Sequence, residues 1–498
     1  MSRSIISALD RRPTGWLLLG IALITSANLR FGVDALAWIA FIPFLRYLRL
    51  RTGWRAGLAL LLAGCVAWCL TVLKITTAPL PPALSLMFGL PIGLFLTAPF
   101  LLLSRARART GWASLLLFPA LMVVAEWLQH VLSPFASWGA AAYTQLDNIA
   151  LLQLASVTGM AGVSFAVYLT NAALDEALQA WQEGTPWAGR GATIAAVLLG
   201  LHVAGGARIA LDEARGGVDT IRVAAVGTDS SFGGLPLPGA SDLAVIDDGL
   251  EQRTRTAAAA GAEVVVWNEA ATLVMPSDQD AAAARWALLA DELDIELVAA
   301  WVVPVSTSPL QYENQSITFR PDGTVSSPYL KHHPVPGEPA IQGTGPVPTN
   351  VAGGDVLIGT AICYDTDFPR LGLEHARADI DLLALPSSDW RGIDPIHTRM
   401  ARLRAIEGGH SVLRSTRFGL SAGIDPLGRF RGSMSAFDGS DVLVVELPRQ
   451  GRKTIYGALG DWLIALCALG LVAFTIRQRG LSLAAWAQLS PLSESGRS

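Results

Sequence analysis

The chain has 498 residues, of which 51% are hydrophobic and only 16% charged. That is too apolar for an ordinary soluble enzyme and points to membrane spans. The formal net charge of -4 gives no basic field for nucleic acid, and the four cysteines have no spacing that suggests zinc or a disulfide framework.

Taken in order, the chain opens with Arg3, Arg11 and Arg12 and then an apolar run. More apolar segments follow at once, so the run reads as a first span rather than a signal peptide. Apolar segments lie at residues 16–28, 33–45, 56–73, 84–103, 112–128, 151–174 and 192–206, with a last one at 455–476. The first two are short for a span of about 20 residues and read as tilted partners or a re-entrant pair. Residues 1–210 are therefore expected to form a membrane domain of about seven helices. Residues 218–450 are expected to form a polar domain, 455–477 a final span, and 480–498 a frayed tail. Cys65 and Cys69 stand at i, i+4 in one apolar segment and Cys467 in another, as packing residues do.

Charge suggests an orientation. Arg46, Arg49, Arg51 and Arg55 fill one loop, and Arg105, Arg107 and Arg109 the next on the same side. The alternate loops carry Arg30, Lys74 and then no Lys or Arg between Leu128 and Leu151. The positive-inside bias puts both termini in the cytoplasm and the polar domain outside. Arg449, Arg452 and Lys453 before the last span oppose Arg477 and Arg479 after it, and the N-terminal pattern is the stronger.

The polar region alternates strand-like and helix-like runs. Strands are expected at residues 221–226, 263–267, 296–303, 315–319, 356–364, 381–385, 411–415, 420–424 and 441–447, and helices at 241–260, 278–292 and 397–408. That alternation predicts a layered α/β core. No Gly-rich phosphate motif is present, so no nucleotide or other cofactor is indicated.

Three stretches carry chemistry. Residues 356–369 read V-L-I-G-T-A-I-C-Y-D-T-D-F-P, an apolar strand that stops on Cys363. A cysteine at a sheet's edge is placed as nucleophiles often are, though free Cys is more often a small buried hydrophobe. Residues 262–276, A-E-V-V-V-W-N-E-A-A-T-L-V-M-P, run out on Glu269. Residues 329–339, Y-L-K-H-H-P-V-P-G-E-P, place Lys331 at the start of a proline-rich loop. Taken singly, Glu269 is a strand end and Lys331 a surface charge. His332 and His333 are read as loop residues, and no metal partners are visible for them.

In the chain order Glu, Lys, Cys, these residues resemble the nitrilase superfamily triad. With membrane spans on both sides, the chain resembles the apolipoprotein N-acyltransferase family over nearly its whole length. The stretches Glu126-Trp127-Leu128, Ser133 to Gly139 and Tyr143-Thr144-Gln145 are similar to that family's E-W-L…F-P-W…G-Y-x-Q loop. Glu126 near a span end is either a snorkelling carboxylate or one that is paired or held in a wet cavity. The resemblance implies an α-β-β-α sandwich fold. It implies Glu269 as base, Lys331 as oxyanion stabiliser and Cys363 as nucleophile. It also implies the backbone N–H of Tyr364 as second oxyanion donor and Glu338 as an accessory carboxylate that orients Lys331 or the amine.

The implied reaction moves an acyl chain from a phospholipid to the amine of a diacylated apolipoprotein through a thioester. The implied place is the inner membrane, with the catalytic domain on the periplasmic side, no metal, and a monomer expected. A membrane-tethered amidase, or an acyltransferase for another amine, fits the same triad. A transporter needs ionisable residues in mid-span, and the spans are nearly free of them. This sequence departs from the family at four places: Pro336 for Phe, Asp365 for Glu, a shortened stretch from Asp389 to Gly392, and Arg417 for Asn.

Overall fold

A computed structural model describes residues 3–106, 112–228, 230, 232, 234–352, 355–439 and 441–489. The apolar segments form helices that pack on one another through a continuous core, from Trp16 and Phe44 to Trp68, Phe100, Phe118 and Tyr168. Four described helices are long and apolar enough to cross a membrane: Trp54–Leu73, Leu84–Ser104, Leu115–Leu132 and Ala188–Arg215. Shorter apolar helices lie at Thr14–Ala27, Ile149–Thr158 and Trp462–Gln478.

Three apolar runs are broken where hydropathy shows continuity. The run at 33–45 divides into helices Asp34–Ala37 and Ile42–Leu50. At the break the Phe41 N–H donates to Asn171 Oδ1 (2.9 Å), a buried side chain that satisfies an orphan helix-end donor. The run at 151–174 breaks at Gly159, whose φ is +65°. A Cβ there would sit 2.5 Å from the Tyr456 ring, so glycine is required. The C-terminal run breaks at Gly460 into Ile455–Leu459 and Trp462–Leu489. Helix therefore continues past 480 to Leu489, which corrects the expected start of a frayed tail. Residues 490–498 lie outside the described residues, as do Arg107 and Arg109 of the orientation argument. Arg46 and Arg49 are not free cations, since Arg46 pairs with Asp10 (2.7 Å) and Arg49 with Asp175 (3.0 Å).

Among the described residues the polar region has thirteen strands: β1 Thr220–Val226, β2 Val264–Trp267, β3 Thr272–Leu273, β4 Glu296–Thr307, β5 Leu310–Phe319, β6 Tyr329–Leu330, β7 Thr349–Ala352, β8 Val356–Thr360, β9 Leu382–Ser388, β10 Ser411–Arg417, β11 Leu420–Ile424, β12 Phe430–Ser435 and β13 Val442–Pro448. One sheet runs β13-β1-β2-β4-β5-β6, with β3 on β4, and the other β12-β11-β10-β9-β8-β7. Strands β1, β2 and β4 are parallel, as are β8, β9 and β10. The runs in the middle of each sheet are apolar on both faces because both faces are covered. The inner faces meet through Val223, Val264, Val266, Val298, Ile358, Leu382 and Leu413. Helices Ala240–Ala259 and Gln279–Leu293 cover the first sheet through Leu250, Ala257, Trp286 and Leu289. Helices Pro369–Arg377 and Ile396–Gly408 cover the second through Leu371, Ala401 and Ala405. The result is the α-β-β-α sandwich. Helix Pro369–Arg377 and strands β3, β6, β7 and β12 were not anticipated.

The helical region docks on the second sheet's cover. Ile393, Ile396, Met400, Leu403 and Ile406 join the core of the membrane helices. Trp390 Nε1 donates to Ile75 O (2.7 Å) and Gln153 Nε2 to Leu427 O (2.9 Å). This docking puts the carboxyl ends of β8 and β9 against the helices, the usual place for ligands in parallel α/β sheets.

Candidate active site

Strand β8 ends at Thr360, three residues before the cysteine, rather than running on to Tyr364. Cys363 opens a short 3-10 turn, Cys363–Asp367, with φ of +48°. A side-chain-bearing residue rarely adopts this left-handed geometry, and it is found where surroundings impose it. Asp365 imposes it here. Its Oδ2 accepts from the Ile362 N–H (3.0 Å) and the Tyr329 hydroxyl (2.8 Å), and its Oδ1 from the His333 N–H (2.7 Å). Burial opposes ionisation of Asp365, but the bonds from His333 and Ile362 outweigh it and hold the carboxyl below its usual range. Asp365 thus ties the lysine loop to the cysteine turn. His333 stacks on Phe368 at 3.8 Å, and neither it nor His332 lines a cavity at Cys363.

Glu269 lies two residues past β2 and Lys331 one past β6, and both are buried. Lys331 Nζ is 2.8 Å from Glu269 Oε1 and 2.8 Å from Glu338 Oε2. Asn314 Nδ2, on β5, donates to Glu269 Oε1 (2.7 Å) and Glu338 Oε1 (3.2 Å). Glu338 is held in turn by the Val335 N–H (2.9 Å). Burial works against the ammonium, but the two carboxylates outweigh it and hold the Lys331 pKa well above its ordinary value. Lysine has three N–H donors, and two are taken by the carboxylates.

The Cys363 Sγ donates to Ser388 O at the end of β9 (3.4 Å). Burial pushes the thiol pKa well up, Glu269 adds to the rise, and Lys331 and Arg414 oppose it. The resting sulfur is a protonated thiol that needs a base. The Tyr364 hydroxyl donates to Pro134 O (2.9 Å), in the loop after helix Trp112–Leu132.

Beneath the cysteine lies an ion network. His397 Nδ1 is 2.7 Å from Asp389 Oδ1, and its Nε2 is 3.1 Å from both oxygens of Asp367. Arg414 closes on Asp389 through two bonds of 3.0 and 2.8 Å. Burial disfavours the imidazolium, Asp367 and Asp389 favour it, and Arg414 opposes it; the balance raises His397 to about 9. Cys363, Asp389 and His397 offer ligand atoms within 4.8 Å of one another. Both His397 nitrogens face carboxylates, and Arg414 occupies Asp389, so the trio is an ion network and not a free ligand set.

Two spaces meet at Cys363. One is apolar and runs among the helices, lined by Val72, Ile92, Phe88, Phe135, Trp138 and Trp390. The other is an open cleft of about 840 Å³, largely apolar but with Glu269, Lys331, Glu338, Arg391 and Arg417 set into its walls. The structure brings Glu269, Lys331, Glu338, Cys363 and Tyr364 to this junction. Sequence reading missed Asn314, Asp367, His397, Arg414 and Ser388 as parts of the site. Of these, Ser388 and Arg414 adjoin the departures at Asp389–Gly392 and Arg417, which was the signal in the sequence that could have found them. Glu126, expected as snorkelling, paired or in a wet cavity, is buried and partnered, accepting from the Tyr168 hydroxyl (2.7 Å) and Ala141 N–H (2.8 Å).

Comparison with known proteins gives two family matches. The apolipoprotein N-acyltransferase N-terminal domain model matches residues 20–173, and the carbon-nitrogen hydrolase model matches residues 215–456. The chain is 28% identical to an apolipoprotein N-acyltransferase of Geobacter metallireducens, over 90% of this chain and 92% of that protein. It is 27% identical to one of Caulobacter vibrioides, over 95% of this chain and 93% of that protein. Among solved structures, an amidase from Nesterenkonia sp. aligns with 47% of this chain and 94% of its own, at 22% identity and a TM-score of 0.37. With the matched regions spanning the helical bundle and the sandwich in turn, the chain belongs to the apolipoprotein N-acyltransferase family, the membrane-embedded branch of the carbon-nitrogen hydrolases.

Proposed function

We propose that the protein moves a fatty acyl chain from a phospholipid to the N-terminal amine of an S-diacylglyceryl-cysteine apolipoprotein, through a thioester on Cys363. The observation that carries this reading is the apolar space among the helices that ends on Cys363. An acyl chain bound there stays out of water, which is worth about 0.8 kcal/mol per CH₂. A soluble amidase needs no such space.

Glu269 takes the Sγ proton, and the thiolate attacks the ester carbonyl. The oxyanion is held by the third Lys331 N–H and the backbone N–H of Tyr364. That N–H lies in the first turn of a 3-10 helix, where donors lack internal partners. Glu269 returns the proton to the glycerol oxygen as the lysophospholipid leaves. The acceptor amine enters from the open cleft, attacks the thioester, and gives its proton to Glu269. Cys363 departs as thiolate and is reprotonated. Glu338 keeps Lys331 in place through both halves. The sandwich faces the periplasm, with both termini in the cytoplasm, as the arginine asymmetry indicates.

The test is incubation of full-length enzyme with phospholipid and a diacylglyceryl-cysteine peptide. The expected product by mass spectrometry is a peptide carrying one more acyl chain on its α-amine. Free fatty acid with unmodified peptide would contradict the reading.

A further inference from the structure

The open cleft carries three cations, Lys331, Arg391 and Arg417. Lys331 is committed to two carboxylates. Arg417 is not: among the described residues it has no carboxylate within ion-pair distance. Its Nε donates to Ser388 Oγ (2.7 Å) and an Nη to Ser230 O. It is largely shielded from solvent, and burial pulls its pKa down. The Glu269 and Glu338 charges favour its guanidinium from a distance but do not outweigh the burial, so an anion in direct contact would relieve it. Arg391 stands exposed at the mouth, its guanidinium 4.3 Å above the Phe437 ring.

The position of Arg417 is informative. Ser388 accepts Cys363 Sγ on its carbonyl and Arg417 on its hydroxyl, so one residue separates nucleophile and guanidinium. In a glycerophospholipid the ester carbonyl and the phosphorus are about five or six bonds apart, a reach on the order of 6 Å. With the carbonyl at Sγ and the chain in the apolar space, that reach is long enough to bring the phosphate to the Arg417 side of Ser388. A guanidinium fork suits the paired oxygens of a phosphodiester. The acceptor's reacting end offers an amine, a thioether and ester carbonyls, none of them an anion that matches a guanidinium.

We infer that Arg417, backed by Arg391 at the mouth, binds the phosphodiester of the acyl donor and makes the enzyme select phospholipid over neutral acylglycerol. The inference rests on the acyltransfer reading above. It assigns a role to a side chain that replaces the family's Asn.

The experiment measures acyl loading of the full-length enzyme in detergent micelles. The two donors are phosphatidylethanolamine and diacylglycerol with the same chains. The wild type should load from the phospholipid on the order of 30-fold faster, the size of one charge-assisted paired contact. In Arg417→Gln the ratio of the two rates should fall to near one, and Arg417→Lys should lie between. A merely structural role for Arg417 would lower both rates and leave the ratio, which overturns the inference. Equal loading of the wild type from both donors also overturns it, and needs no variant. Arg391→Gln, at an exposed site, should lower the ratio by roughly 3-fold, as for a solvent-screened contact; an unchanged ratio removes Arg391 from the subsite. Absence of any loading from either donor sinks the acyltransfer reading itself, whereas loading without discrimination sinks only the phosphate subsite.

Discussion

Trp138 Nε1 donates to Asp367 Oδ2 at 2.7 Å, and both side chains are buried. Trp138 belongs to the loop after helix Trp112–Leu132, and Asp367 closes the turn that Cys363 opens. Ser137 adds a second tie, its hydroxyl donating to Asp367 O (2.5 Å). The position of the cysteine is therefore set by the helical region as well as by the sandwich. Trp138→Phe keeps an aromatic wall in the apolar space but removes a hydrogen bond to a carboxylate, worth about 1.5–3 kcal/mol. Acyl loading of Cys363 should slow by roughly 10-fold or more, and alkylation of Cys363 by iodoacetamide should change rate with it. Rates equal to wild type in both assays would show that the turn holds its shape unaided.

Glu269 accepts from Lys331 and Asn314 on one oxygen, and its amide counterpart can still accept those bonds. Glu269→Gln should therefore fold and yet lose the base. Thioester formation should slow by about 10²-fold or more, the size expected for general-base loss. Pre-steady-state loading reads this directly, and a variant that loads at the wild-type rate would remove Glu269 from the mechanism.

The imidazolium of His397 gives a stability test with a defined sign. Its pKa rises from 6.5 to about 9 in the fold, where burial opposes the charge and Asp367 and Asp389 support it against Arg414. A raised pKa contributes stability that is fully present below the unfolded value and is lost as pH rises through the folded value. Asp389 is held well below its usual carboxylate range and Arg414 above its own, so neither changes charge in that window; Cys363, whose thiol burial pushes up, also faces it. The difference in melting temperature between wild type and His397→Gln should shrink from about pH 7 to about pH 10. A constant difference would mean that the network does not depend on the proton.

Topology is tested by reporter fusions. The arginine asymmetry places a fusion after Gly216 on the outer side and one after Arg109 in the cytoplasm. Both reporters on one side would refute the orientation. The test has weight because two of the arginines, Arg46 and Arg49, are ion-paired to acids, which leaves fewer free positive charges than the sequence suggests.

The sandwich was legible because its central strands are uninterrupted apolar runs. Val264–Trp267 and Val356–Thr360 can be read from residue type alone, and so can the polar residues that follow them. What sequence reading missed is long-range. Asn314 sits in a strand and signals nothing until the fold turns it toward Glu269 and Glu338. Asp367 reads as a turn residue, yet its partners Trp138 and His397 are 229 and 30 positions away. The turn at Cys363 was taken for strand because Ala361 and Ile362 are apolar, and the left-handed step comes from the Asp365 bonds. The breaks near Phe41 and at Gly159 were hidden for a similar reason. Hydropathy counts apolar side chains and does not see a buried Asn171 or a Tyr456 ring across the chain.

The central claim is nucleophilic catalysis by Cys363, and the acyl-enzyme is its most direct test. Full-length enzyme is incubated with phospholipid and no acceptor, and the intact protein is weighed. The account expects one acyl chain per enzyme, released by neutral hydroxylamine as a thioester is. The adduct should be absent in Cys363→Ser and retained when Cys65, Cys69 and Cys467 are replaced together by Ala. In Lys331→Ala it should form more slowly by at least about 10²-fold, the loss typical of one oxyanion donor. A diacylglyceryl-cysteine peptide should then discharge it to the peptide amine faster than water does. Turnover with no adduct on Cys363 under any trapping condition would contradict the account.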